Sequence, residues 1–140
     1  MNLAVDIVPV HLTVSQRLAA ELAVGRVVGL RASSERSGTA VIVYTGGEVD
    51  AANEHTWRRL LGEAAAAVAA PGPLVIDTDG LEFMGCCAFT ALAEQADRCR
   101  RRGIDLRPVS GKPITARIIA AGGLGPRLCV YPTVDDALIH

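Results

Sequence analysis

One tryptophan, two tyrosines and two phenylalanines are all the aromatic residues in a chain of 140. Half of the residues are hydrophobic all the same. The apolar content is therefore aliphatic, the mixture expected of alanine-rich helices packed on a sheet of valine, isoleucine and leucine. No apolar run reaches the roughly 18 residues that a transmembrane helix needs, so no membrane span is expected. Neither sign of charge dominates: 14 Lys and Arg against 15 Asp and Glu leave a formal charge of −1. That argues against a general nucleic-acid binder, which carries a basic face. The opening residues, Met1-Asn2-Leu3-Ala4-Val5-Asp6, have no positive charge ahead of their apolar positions and lack the form of a secretory signal. A cytoplasmic location is the default, with the cysteines mostly reduced. Cys86, Cys87, Cys99 and Cys129 contain no C-x-x-C pair, and no structural zinc site is expected.

The usual marks of catalysis are also missing. Glu48 and Asp50 form a carboxylate pair, but no histidine, ligand cluster or nucleophile accompanies them in a catalytic pattern, and His11, His55 and His140 are scattered. Asp50 fits a turn and helix start instead. Gly46-Gly47 lacks the lysine and hydroxyl of a phosphate loop. Gly122-Gly123-Leu124-Gly125 follows a helix rather than a strand and is no dinucleotide fingerprint. The sequence thus predicts no cofactor and no enzymatic activity.

What is present is a regular alternation of short apolar runs and amphipathic segments, with a length suited to one domain. Ser15 can cap a short helix over Gln16 to Val24. Strand-like stretches run from Val27 to Ser33 and from Thr39 to Tyr44, joined by the turn-rich Ser34-Glu35-Arg36-Ser37-Gly38, with Gly46-Gly47 breaking the second. Trp57, Leu60, Leu61, Ala64, Ala65 and Val68 make one helical stripe, ended by Pro71-Gly72-Pro73. Leu74 to Asp77 reads as a strand covered on both faces. A helix then starts near Cys86 or Cys87, with Phe89, Leu92, Ala93, Ala96 and Cys99 on one side and Gly103 as its stop. Asp105 to Val109 is a further strand. Ser110 to Pro113 caps a helix over Ile114 to Ala121. Leu128 to Tyr131 is expected as a last strand, holding Cys129 in the core, and Thr133 caps a terminal helix through Ala137 and Leu138.

This order and several local patterns resemble the STAS domain, and within it the bacterial anti-sigma factor antagonists. Thr45-Gly46-Gly47-Glu48-Val49-Asp50 is similar to the family's strand end and Gly-Glu-hydrophobic-Asp turn, and Ala51-Ala52-Asn53 to the lead into its first helix. Leu74-Val75-Ile76-Asp77 followed by Gly80-Leu81-Glu82-Phe83-Met84 resembles its central strand and loop. Gly103-Ile104-Asp105-Leu106, Lys112 through Leu124, and Val134-Asp135-Asp136-Ala137-Leu138 are similar to its later elements. The resemblance implies an α/β STAS fold: a mixed, largely parallel central sheet with about four helices packed mainly on one face. Residues 26–140 would form the domain and 1–25 an N-terminal extension. It further implies a non-enzymatic regulator that binds an anti-sigma factor or related kinase-like switch protein and controls transcription indirectly, without contacting nucleic acid or membrane.

In that family the loop after the central strand usually reads Asp-Ser-Ser-Gly, and its first serine is phosphorylated by the partner. Here Gly85 stands at the aspartate, Cys86 at the phosphoserine, Cys87 at the second serine and Ala88 at the glycine. The acceptor is degenerate, and Thr90, a turn further on, is the nearest alternative hydroxyl. The candidate partner-binding residues are Asp50, Asn53, Gly85, Cys86, Cys87 and Thr90. Three readings of the two thiols stay open. A thiol at a helix N-terminus can have a lowered pKa and act as a redox sensor. Cys86 can equally be a small buried residue on the side of Phe89. A cysteine-dependent enzyme is the third, and it lacks a general base. Arg98, Arg100, Arg101 and Arg102 complement the end of their helix dipole or form a patch for an acidic partner.

Overall fold

The computed structural model describes residues 29–139. The expected helix over Gln16 to Val24, the extension 1–25, His11 and His140 lie outside the described residues. The elements are β1 (Leu30–Ser37), β2 (Ala40–Val49), α1 (Glu54–Ala66), β3 (Leu74–Met84), α2 (Cys86–Arg101), β4 (Leu106–Val109), α3 (Pro113–Ala121) and α4 (Val134–Ile139). The sheet order is β1-β2-β3-β4, antiparallel between β1 and β2 and parallel thereafter.

The stripe of α1 lies on one face of this sheet. Trp57, Leu60, Leu61, Ala64 and Ala65 are buried with Val41, Val43, Leu74 and Ile76 of the strands and Phe89, Leu92, Ala96 and Cys99 of α2. Ile119 of α3 joins the same cluster. Each large side chain so covered contributes about 1.5–3 kcal/mol relative to exposure. The alternate positions Ile42, Val75 and Val109 point to the other face, where Ala137 of α4 covers them. Three helices on one face and one short helix on the other follow from the period-two alternation along each strand. Trp57 is fully buried, and its indole N–H donates to the Ala88 carbonyl at 3.1 Å, which ties α1 to the first turn of α2.

Two expectations are corrected. Gly46-Gly47 does not end the second strand; β2 runs on to Val49. A Cβ at Gly47 would lie 1.7 Å from the Gly29 carbonyl oxygen, and one at Gly80 on β3 would lie 2.4 Å from the Thr45 carbonyl oxygen. These glycines let backbones approach closely, and the β2–β3 ladder shifts register beside them, between Tyr44 and Gly46 and again between Gly47 and Glu48. For the same reason β3 continues well past Asp77. The second correction concerns Leu128 to Tyr131, which is no strand. It meets β4 at a single bridge, Val109 with Tyr131. The Pro108 carbonyl accepts from the Tyr131 N–H, so the donor that proline lacks is missing on this side of β4 and the ladder cannot propagate. Cys129 is consequently exposed, not core.

The glycine account predicts unequal costs for one substitution. Gly47 has φ +94° with the Gly29 oxygen in the way of any side chain, whereas Gly38 has φ +62° and nothing within 4 Å. Gly38→Ala is expected to cost about 1 kcal/mol and Gly47→Ala upward of about 2 kcal/mol in denaturant unfolding, strain and clash acting together. Equal losses would contradict the close-approach reading.

Candidate functional site

The parallel pairing of β2 and β3 brings their C-terminal ends level. Glu48 pairs with Phe83 and Val49 with Met84, and the Gly85 N–H then donates to the Val49 carbonyl at 2.8 Å. The two connections that follow, Asp50–Asn53 into α1 and Gly85 into α2, therefore lie side by side beyond the strand ends. In an open α/β sheet that is where ligands and partners gather.

Asn53 builds the first turn. Its Oδ1 accepts from the Asp50 N–H and its Nδ2 donates to the Glu48 carbonyl, both at 2.9 Å, and it is only 6% exposed. The Asp50 Oδ1 accepts from the Ala52 N–H at 2.9 Å. Asn53 thus spends its amide within the turn, while Asp50 stays half-buried at its rim.

Gly85 is the N-cap of α2 in an extended conformation, φ −71° and ψ 168°, with no side chain to cap the helix. A Cβ there would meet a Phe83 ring carbon at 3.5 Å, the Val49 oxygen at 3.6 Å and the Cys87 Sγ at 3.8 Å. All are ordinary contacts, so nothing steric demands glycine. The position has room for a Cβ.

Cys86, the first residue of α2, is exposed. The expectation that it is buried beside Phe89 is corrected. Side chains at the start of a helix lean back toward its N-terminus, and Cys86 therefore projects beyond the apolar stripe that buries Phe89. Cys87 is half-buried. Burial first, then the Glu54 carboxylate beside it, pushes its thiol above the usual cysteine range. The lowering expected at a helix N-terminus is not found at this residue, because a thiolate there would be both desolvated and next to negative charge. Thr90 is exposed, and its hydroxyl donates to the Cys86 carbonyl at 3.2 Å.

Several neighbours escaped the sequence reading. Arg58 bonds Glu54 at 2.8 Å and Glu94 at 2.6 Å, clamping α1 to α2 beside the thiols. The Glu54–Arg58 spacing of four was legible as a helix-surface pair; the reach to Glu94 needed the helix packing. Phe83 is 53% exposed and Ile114 48%. They flank a shallow cleft also lined by Met84, Phe89, Lys112 and Ile118, where the Lys112 ammonium donates to the Leu81 carbonyl. The site therefore combines a carboxylate rim, two thiols and an exposed apolar patch. Among the described residues no group of three or more His, Cys, Asp or Glu side chains is arranged to hold a metal ion, and no helix is long and apolar enough to cross a membrane. The raised pKa of the Cys87 thiol lowers its thiolate fraction, the opposite of the shift that activates a nucleophile.

Two measurements check this geometry. With iodoacetamide at neutral pH, exposed Cys86 and Cys129 are expected to react well before Cys87 and buried Cys99, whose thiols are both pushed up by burial. Raising the pH should speed Cys87 steadily, and its rate should still be climbing above the ordinary thiol range, where that of an ordinary thiol has levelled off. Early labelling of Cys87, read by mass spectrometry, contradicts its placement. Gly85→Asp should stabilise the fold by about 0.5–1 kcal/mol by supplying a cap and a negative charge at the helix start, and a loss of stability would show that the position has no room.

A STAS domain family model matches residues 31–137. An anti-sigma-F factor antagonist of Mycobacterium tuberculosis, RsfA, is 54% identical over 109 residues, covering 78% of this chain and 85% of that one. Rv2638 of the same species, which bears an anti-anti-sigma factor name, is 62% identical over 109 residues, covering 78% of this chain and 74% of its own. The crystal structure of an anti-sigma factor antagonist from Mycobacterium paratuberculosis superposes with a TM-score of 0.69 at 28% identity, covering 78% of this chain and 91% of that one. With the mixed four-stranded sheet and its helices, these matches make the chain a member of the STAS domain family, of the anti-sigma factor antagonist type.

Proposed function

We propose that this protein antagonises an anti-sigma factor by binding it directly, and that phosphorylation at position 86 does not switch the binding off. The observation that carries this reading is the exposed thiol of Cys86 on the first residue of α2, where the resemblance puts the acceptor serine. A kinase that transfers phosphate to a serine hydroxyl has none to use there. The rest of the surface is intact: a turn held by Asn53, a carboxylate at Asp50, and a free helix N-terminus. The relatives' names support the same partner class. Asp50, Gly85, Cys86, Cys87 and Thr90 form the contact surface, and Asn53 holds its shape. The activity is binding, not catalysis.

A second reading, a thiol switch on the same scaffold, is favoured by one observation, the exposure of Cys86. Its test is mass spectrometry of protein trapped under oxidant, where an unmodified Cys86 in folded protein discards it.

The test of the main reading is restoration of the acceptor. With the cognate anti-sigma factor and ATP, the double variant Gly85→Asp, Cys86→Ser is expected to take phosphate at position 86 and to lose affinity by at least about tenfold, roughly 1.4 kcal/mol. The wild-type chain should bind with or without ATP and stay unmodified. Phosphate on the wild-type chain, at Thr90 or elsewhere, accompanied by release of the partner, would overturn the reading.

A further inference from the structure

The outer edge of β1 pairs with no strand among the described residues, and its side chains are self-complementary. The two-residue turn Gly38-Thr39 makes Ser37 and Ala40 a hydrogen-bonded pair. Alternation along an antiparallel ladder then directs the N–H and C=O of Arg31, Ser33, Glu35 and Ser37 toward β2. Those of Leu30, Ala32, Ser34 and Arg36 are directed outward. The free edge therefore offers four consecutive outward-facing residues in an eight-residue strand that contains no proline or lysine. Such an edge is a template for another strand.

A two-fold antiparallel pairing must match outward residues with outward residues, which leaves few registers. Centred on Ser33, Ala32 of one copy faces Ser34 of the other and Leu30 faces Arg36. On the opposite face of the strand, Arg31 of each copy then stands across from Glu35 of the other, an opposite-charge cross-strand pair made twice by symmetry. Both side chains are exposed. Glu35 gives one carboxylate oxygen to the Tyr44 hydroxyl at 2.9 Å and keeps its second for the arginine. Moving the centre to Ala32 or Ser34 separates these charges. We propose that two copies of this chain join through the free edges of β1, antiparallel and centred on Ser33. The result is one continuous sheet in which an Arg31–Glu35 pair on each side of the axis fixes the register. Because the axis reverses β2, the two candidate sites lie at opposite ends of the joined sheet. The dimer and the partner complex therefore do not compete, and the proposal stands whether or not the partner is an anti-sigma factor.

Sedimentation of the full chain across concentrations, without any partner, tests this. A reversible dimer is expected. Arg31→Glu and Glu35→Arg should each weaken it at least tenfold, and the double variant Arg31→Glu, Glu35→Arg should recover most of that loss, with circular dichroism confirming the fold in each. A second arm does not depend on charge. Ser33→Cys brings two thiols onto the axis, in a non-hydrogen-bonded pair whose Cα atoms stand about 4.5 Å apart. Mild oxidation should then give an intermolecular 33–33 disulfide, identified by peptide mapping apart from links through Cys86 or Cys129. A chain that stays monomeric at all concentrations, as when another segment of the same chain takes the edge, overturns the proposal. So does a dimer with no 33–33 link, or one indifferent to both charge reversals.

Discussion

The parallel register of β2 with β3 is the constraint on which the site depends. The pairs Glu48–Phe83 and Val49–Met84 bring two strand ends level, and one further bond, from Gly85 N–H to the Val49 carbonyl, fixes the second connection against the first. Without that alignment Asp50 and Cys86 belong to unrelated loops. The register is held by burial on both faces: Val41, Val43, Leu74 and Ile76 under the helices, Ile42 and Val75 under α4. A one-residue slip would turn each set to the wrong side. The glycines at 46, 47 and 80 absorb the two shifts that the long pairing requires.

On this frame the shape of the site is held by bonds within the fold. The turn at Asp50 is internally bonded through Asn53, and the start of α2 is anchored from behind by the Trp57 indole on Ala88. Neither feature uses a side chain of residues 85–88. The backbone at Gly85 has room for a Cβ at ordinary contact distances. The Cys87 thiol sits at a helix N-terminus, yet burial and the Glu54 carboxylate push it above the usual cysteine range.

Much of the fold was legible because it is written in periodicity. The stripes of α1 and α2, the Thr133 cap, whose hydroxyl accepts from the Asp136 N–H, and the glycine stop at Gly103 are local signals. What escaped was set by contacts distant in sequence. Leu74 to Asp77 reads as a short strand, and the Thr45 carbonyl packed close against Gly80 explains why the strand runs on to Met84. Leu128 to Tyr131 looks like a strand, and the missing donor at Pro108 explains why it is not one. Of the candidate site, the two loops were legible from motif resemblance. The exposure of Cys86, the Arg58 clamp to Glu94 and the open face of Phe83 depend on how the helices seat on the sheet.

The central claim, that a phosphorylation-deficient loop still forms a partner surface, is tested most directly by hydrogen exchange. Amide exchange would be measured on the protein alone and bound to its cognate anti-sigma factor. The account predicts new protection confined to residues 50–54 and 83–90, unchanged by prior incubation with ATP. Protection centred on other elements, or binding that ATP abolishes through modification of the wild-type chain, would contradict it.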